Sequence, residues 1–352
     1  MTFLAFDWLF LVEKLALIVG IISVSLLIAM YETYAERKIA AVMQDRRGPN
    51  RAGPFGLFQP LADGLKLFMK EEIIPNTSNK FLFILGPCLA MLTAMMTSAV
   101  IPWGGTIDFF GRQVTLQIAD INIGILFVFG VVSMGVYGIM IGGWASNNKF
   151  SLLAALRGAS QVISYELPMG LSLIALLMLT GSLKMSVIMG SQLDNWYYVL
   201  YQPLGFLIFF ICALAECNRT PFDLPEAENE LNFGYHQEYS SMKLGFYLFA
   251  EYINMFISSV VMATLFWGGY DIPIVNDVSL GQSIGQNWLV VLQSLSLFAK
   301  VAIFIFTFMW IRWTIPRFRY DQLMNLGWKG LIPLSLLNML ATAAFVLWKT
   351  KG

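Results

Sequence analysis

Charge is scarce in this chain. Asp, Glu, Lys and Arg make up 12% of its 352 residues, about half the usual share in a soluble domain. Histidine is scarcer still, with His236 alone, so a two-histidine haem or zinc site within the chain is excluded. The cysteines are Cys88, Cys212 and Cys217. They form no C-x-x-C pair, and three thiols alone do not hold an iron–sulfur cluster. No metal ligands are expected. No glycine-rich nucleotide fingerprint follows a strand, and no strands are expected. Any redox cofactor therefore sits on another subunit. The 22 bases balance the 22 acids, and nucleic-acid binding has no basis. The first apolar run lacks a basic start and a small-residue cleavage site, so it reads as a retained span and not as a signal.

What fills the chain is apolar. Hydrophobic residues make up 57%. Uncharged runs occupy 81–102, 121–144, 167–183, 197–215 and 331–348. Each is near the roughly 20 residues a helix needs to cross a bilayer. Spans at about 15–34, 244–270 and 288–313 contain or border charge. The expected fold is all-α, a polytopic membrane protein of eight transmembrane helices in one domain, because only helices or closed barrels satisfy backbone groups in lipid. A barrel would alternate instead. Sixteen of the 22 Lys and Arg fall in or beside the loops after the first, third, fifth and seventh spans. The positive-inside rule puts those loops in the cytoplasm and both termini outside. The ten Trp lie near predicted helix ends, as interfacial aromatics do.

Two long loops face the cytoplasm, at about 36–80 and 217–243. The centre of the first, "GPNRAGPFG", is turn chemistry. The following "FGLFQPLADGLKLFMKEE" reads as a short amphipathic helix, lying on the membrane surface or packed on protein. The second loop opens "AECNRTPFDLPEAENEL" and sets Glu216, Asp223, Glu226, Glu228 and Glu230 against one base, Arg219. Phe222, Leu224, Leu231 and Phe233 interleave apolar anchors among these acids.

Charge inside a span is costly, about 2.5–3.5 kcal/mol for an acid or lysine at the centre of a lone helix. Glu166 near the start of the fourth span, Glu216 closing the fifth, Glu251 inside the sixth and Lys300 inside the seventh therefore need a reason. The three glutamates share the cytoplasmic half with the acidic loop. Acids gathered at the mouth of a bundle suit a proton relay, because burial and like-charge repulsion raise their pKa values toward neutrality. Structural ion pairing is the plainer alternative for Glu251, with Lys300 one possible partner. Asp120 reads as a helix N-cap and His236 as a loop histidine.

Four segments carry a resemblance: "ERKIAAVMQDRRGPNRAGPFGLFQPLADGLKLFMKE", "GWASNNKFSLLAALRGASQVISYELP", "AECNRTPFDLPEAENELNFGYHQEYSSMKLGFYLFAEY" and "WIRWTIPRFRYDQLMNLGWK". In order and over nearly the whole chain, the sequence resembles the H-subunit family of the proton-pumping NADH:quinone oxidoreductase, complex I. The resemblance implies a multi-pass subunit of the bacterial inner membrane joining the membrane arm to the peripheral arm. It implies a quinone-access tunnel, with quinone as substrate. It implies partners carrying iron–sulfur clusters, and antiporter-like and small membrane subunits. By the family's motif, Glu166, Glu216, Glu228, Glu230 and Glu251 form the relay. Arg37, Asp63, Arg219, Asp223 and Glu226 belong to the quinone chamber and acidic loop. Cys217 stands where the family usually has Thr, and Asn232 and Gln237 also depart from its pattern. The fold resembles the anchor of energy-converting hydrogenases too, though less in the acidic loop. An autonomous transporter would bring inverted repeats and midplane sites, and a purely structural anchor leaves Glu251 unexplained.

Overall fold

The computed structural model describes residues 8–109, 111–193, 197–273 and 285–351; within these, the side chains of Phe109, Glu228, Asn229, Thr350 and Lys351 are not described. In chain order the helices are α1 (Trp8–Met43), α2 (Gln59–Met69), α3 (Lys80–Met96), α4 (Gly124–Ala145), α5 (Lys149–Thr180), the short α6 (Met185–Gly190) and α7 (Tyr198–Tyr201), α8 (Pro203–Glu216), the single turn α9 (Glu228–Leu231), α10 (Ser241–Phe266), α11 (Gln286–Thr314), α12 (Tyr320–Asn325) and α13 (Ile332–Lys351). Among the described residues, seven segments are long and apolar enough to cross a bilayer: α1, α3, α4, α5, α10, α11 and the run from α12 through α13.

The fifth expected span is shorter than its uncharged run. Gln202 leaves helical geometry at φ −135°, ψ 62°, and Pro203 opens α8 as its first residue. That leaves 14 residues, roughly 21 Å at 1.5 Å per residue. In the other direction, α5 begins at Lys149, where the Asn148 side chain accepts from the Phe150 N–H. Glu166 consequently lies in mid-helix, not near a helix start. Asp120 does not cap α4, whose N-cap position is Ile123. It pairs with Lys184 at 2.7 Å and accepts from Ser186 at 3.0 Å.

Strands were not expected, yet β1 (Thr106–Phe109) pairs antiparallel with β2 (Arg112–Thr115), Thr106 opposite Thr115. Four residues per strand are too few to stand out as an alternating pattern. Gly111 supplies φ 80° at the turn. The hairpin is tied to α11 through Gly105 N–H to Gln293 and Asp108 N–H to Asn287.

The predicted amphipathic helix is α2. It leaves Leu61, Leu65, Phe68 and Met69 exposed while packing on α1 and α10. α10 is the most enclosed of the spanning helices. Its Tyr247 side chain reaches the α4 backbone because α4 has glycine there: a Cβ on Gly142 would lie 1.9 Å from the Tyr247 hydroxyl oxygen, which donates to the Gly138 carbonyl at 3.1 Å. Lys300 of α11 does not partner Glu251. Its ammonium donates to the backbone carbonyls of Trp267, Gly269 and Asp271 at 2.7, 3.0 and 2.8 Å, closing the far end of α10. Trp267 is 16 residues beyond Glu251, roughly 24 Å along the helix.

Candidate functional site

The acidic loop is not a solvated charge run. After α8 the chain turns back into the bundle, with Asn218, Arg219, Phe222, Asp223 and Leu224 all buried. Gln161 of α5 holds it there, donating to the carbonyls of Ala215 and Phe222 at 2.7 Å each. The return bend uses positive φ at Asn232, Phe233 and Gly234 (50°, 79° and 74°). Asn tolerates that region, which accounts for Asn232. A Cβ on Gly234 would meet the Pro225 carbonyl oxygen at 2.0 Å.

Arg219 is the centre of what this bend encloses. Its guanidinium lies 3.9 Å from Glu36 of α1 and 3.7 Å from Glu251 of α10. It also stacks 4.2 Å over the Tyr252 ring. Arg312 of α11 reaches Glu36 at 2.5 Å, and the Tyr252 hydroxyl donates to Glu36 at 2.9 Å. The Tyr235 hydroxyl donates to Glu251 at 3.1 Å. Asp223 pairs with Arg317 at 2.8 Å; the Phe318 N–H to Pro221 carbonyl bond joins their two segments.

Two loop acids are pushed in opposite directions. Burial first, then the Glu226 charge, raises Asp223 from 3.8 to about 7, although Arg317 works against them. Glu226 is also penalised by burial, yet His236, the Glu251 carboxyl and Arg219 together hold it below its ordinary value. His236 is therefore more than a loop histidine: it is buried, with Nδ1 3.8 Å from Glu226.

From Glu251 the path continues into the bundle. A cavity of about 40 Å³ is lined by Glu251, Tyr235, Asn218, Asn254 and Glu216, which is room for ordered water. A second, of about 30 Å³, also borders Glu216, with Val132, Phe209 and Ser258 in its lining. Ser133, beside Val132, donates to Glu166. The fold thus gathers Arg219, Asp223, Glu226, Glu251, Glu216 and Glu166 into one file. Glu230 lies apart from it, half-exposed and paired with Arg157 at 2.7 Å. The expectation for Glu228 falls on a side chain outside the described set.

Arg37 and Asp63 meet at 2.7 Å on the wall of a different space. This pocket, about 340 Å³, lies between α1, α2 and α10. Met30, Leu67, Leu244, Leu248 and Phe249 give it an apolar lining, with Lys66 and Lys70 near the Arg37–Asp63 pair. Tyr252 lines the same pocket.

Sequence reasoning missed Glu32, Glu36, Arg312, Tyr235 and Tyr252. Glu32 and Glu36 stand four apart at the end of a span, the spacing of one helix face, and that signal was available. Among the described residues, no group of three or more His, Cys, Asp or Glu is arranged to hold a metal ion.

Fold and site together define a multi-helix membrane chain that encloses ionisable groups beside an apolar pocket. Residues 15–343 match the NADH dehydrogenase family, and the chain belongs to it. It is 62% identical to an H subunit of the NADH-quinone oxidoreductase of Cytophaga hutchinsonii, over 96% of this chain and 98% of the relative. It is 60% identical to the corresponding H subunits of Flavobacterium johnsoniae, over 96% of each chain, and of Flavobacterium psychrophilum, over 97% and 99%.

Proposed function

We propose that this chain is the membrane subunit of a proton-translocating NADH-quinone oxidoreductase that admits quinone and couples its reduction to proton movement. Family membership and near-full-length likeness to H subunits of that enzyme support the setting. The basic loops support a cytoplasmic face for α2 and the acidic loop, with both termini opposite. Partner subunits of the peripheral arm, with their iron–sulfur clusters, belong on that face; the antiporter-like and small membrane subunits belong beside the bundle. The inner membrane of a bacterium is the expected location.

Quinone is the substrate, and the pocket between α1, α2 and α10 suits it. Its 340 Å³ falls within the roughly 300–1,000 Å³ of small-molecule sites. Apolar side chains match an isoprenoid tail, and Arg37, Asp63 and the two lysines offer polar groups to a headgroup. Exposed apolar residues of α2 fit an opening toward lipid.

The observation that carries the coupling is Tyr252. It lines the pocket, donates to Glu36 and carries Arg219 on its ring. A charge change in the pocket therefore reaches the acid file through one side chain. A unit charge about 4 Å from a partner is worth about 4 kcal/mol at an effective dielectric near 20. Arg219 then rebalances between Glu36 and Glu251, and a proton leaves or joins Glu251, passing through the small cavity to Glu216 and onward to Glu166. Asp223 and Glu226 sense the change from the loop.

Tyr252→Phe in the assembled complex tests this. It keeps the ring under Arg219 and removes the hydrogen bond to Glu36. Protons moved per quinone reduced should fall, with quinone reduction less affected; an unchanged ratio rejects Tyr252 as the link.

A further inference from the structure

Helix α1 presents two neighbouring stripes. Met30, Thr33 and Arg37 line the 340 Å³ pocket. Ser25, Ala29, Glu32, Glu36 and Ala40 form a buried row facing the protein interior. Successive residues turn about 100° around a helix, so Glu32 and Glu36 sit one step round from Thr33 and Arg37, on the inner side of the pocket wall. Glu36 is fully engaged by Arg312, Tyr252 and Arg219. Glu32, one turn earlier, is 3% exposed, and neither of its carboxyl oxygens has a hydrogen-bond partner.

A carboxylate with no cation or donor in contact is costly to enclose. The surrounding group is already rich in acids. Glu36, Asp223, Glu226 and Glu251 face Arg219, Arg312 and Arg317, with His236 beside Glu226, and Glu32 lies within electrostatic reach of Arg219 and Glu36. Such a group stays near neutrality only by carrying protons as well as arginines. Glu32 and Glu216 are also both within electrostatic reach of the buried Cys217 thiol, so Glu32 borders the start of the path toward Glu166.

We propose that Glu32 is a further proton-holding carboxyl of the relay, set in the inner wall of the pocket, exchanging its proton with the Glu36–Arg219–Glu251 group. This rests on the coupling reading above. In the exchange, the O–H bond of one carboxylic acid in the group breaks and an O–H bond forms on a Glu32 oxygen. No electron moves, and the net charge of the group is unchanged. When the proton comes instead from a hydronium ion in the cavity, an O–H bond of that ion breaks, water is left, and the group gains one positive charge.

The test uses the assembled complex in membrane vesicles, with Glu32→Gln, Glu32→Asp and Glu251→Gln compared. Two quantities are read: protons moved per quinone reduced, and the carboxylic-acid carbonyl band in the infrared difference spectrum between the reduced and oxidised enzyme. Glu32→Gln should lose a substantial part of the protons moved and one carboxylic-acid band, and Glu32→Asp should restore most of the protons moved with a carboxylic-acid band at a shifted position. Wild-type values in Glu32→Gln, with a lowered ratio in Glu251→Gln, overturn the role of Glu32 and leave the relay standing. Wild-type values in both overturn the relay as well. Should Glu32→Gln fail to assemble, Glu32→Asp decides: a shifted band and pH profile support the proposal, and wild-type band and profile overturn it.

Discussion

Arg219 lies between two buried acids, Glu36, which Arg312 and Tyr252 also hold, and Glu251, which accepts from Tyr235. Removing the cation takes from Glu251 the arginine it contacts, while Glu36 keeps Arg312. Arg219→Gln is therefore expected to destabilise the subunit by about 3–5 kcal/mol, the range for breaking a buried ion pair. Arg219→Lys keeps the charge but loses the flat guanidinium over Tyr252, a loss of about 2 kcal/mol. Thermal unfolding of the assembled complex checks the order. Asp223 gives a pH signature. Its carboxyl is raised from 3.8 to about 7, so its contribution to stability is complete below pH 3.8 and is lost as pH rises through about 7. Relative to Asp223→Asn, the wild type should lose thermal stability across that window. Equal pH dependence of the two proteins contradicts the assignment. Glu166, Glu216 and Glu251 were legible in the sequence because an acid inside an apolar run is costly. Glu32 and Glu36 carried a signal in their four-residue spacing, but an acid at the end of a span reads first as one that meets interfacial water. Tyr235 and Tyr252 carried no local signal, since their hydroxyl partners Glu251 and Glu36 come from other parts of the chain.

At the level of elements, α1, α2 and α10 form three walls of one pocket, and the same α1 and α10 carry Glu36 and Glu251 on their other faces. Leu248→Trp should fill the pocket while leaving the acid file untouched. Turnover with a long-tailed quinone should fall several-fold more than turnover with a short-tailed one, because only the longer molecule needs the whole passage. Equal loss for both, or no loss, counts against entry at this place. The long apolar helices and the amphipathic α2 were legible from hydropathy and period. The break at Gln202–Pro203 was not, because the uncharged run continues straight across it. The hairpin at Thr106–Thr115 hid because its strands are short, and the early start of α5 hid because Lys149 and Arg157 made that stretch read as loop. The inward fold of residues 217–240 depends on Gln161 and on backbone turns at Asn232 to Gly234, which no local pattern announces.

Across the whole molecule, the buried acids form a file along one side of the bundle. It runs from the inner face of the pocket between α1, α2 and α10, through Arg219 and Glu251, past a water-sized cavity to Glu216 and Glu166. Residues distant in sequence meet there because α10 runs through the middle of the bundle and the acidic loop folds over its N-terminal half. Membrane character and family were legible from composition and four long motifs. The path itself was not, since it depends on which helix faces meet. Among the described residues, Glu216 is the one acid bordering both cavities, which makes it the decisive position for the proposed relay. The most direct measurement is quinone reduction and proton translocation on the same membranes carrying Glu216→Gln. The account predicts that translocation falls well below the wild-type ratio to quinone reduced; full retention of both activities contradicts it.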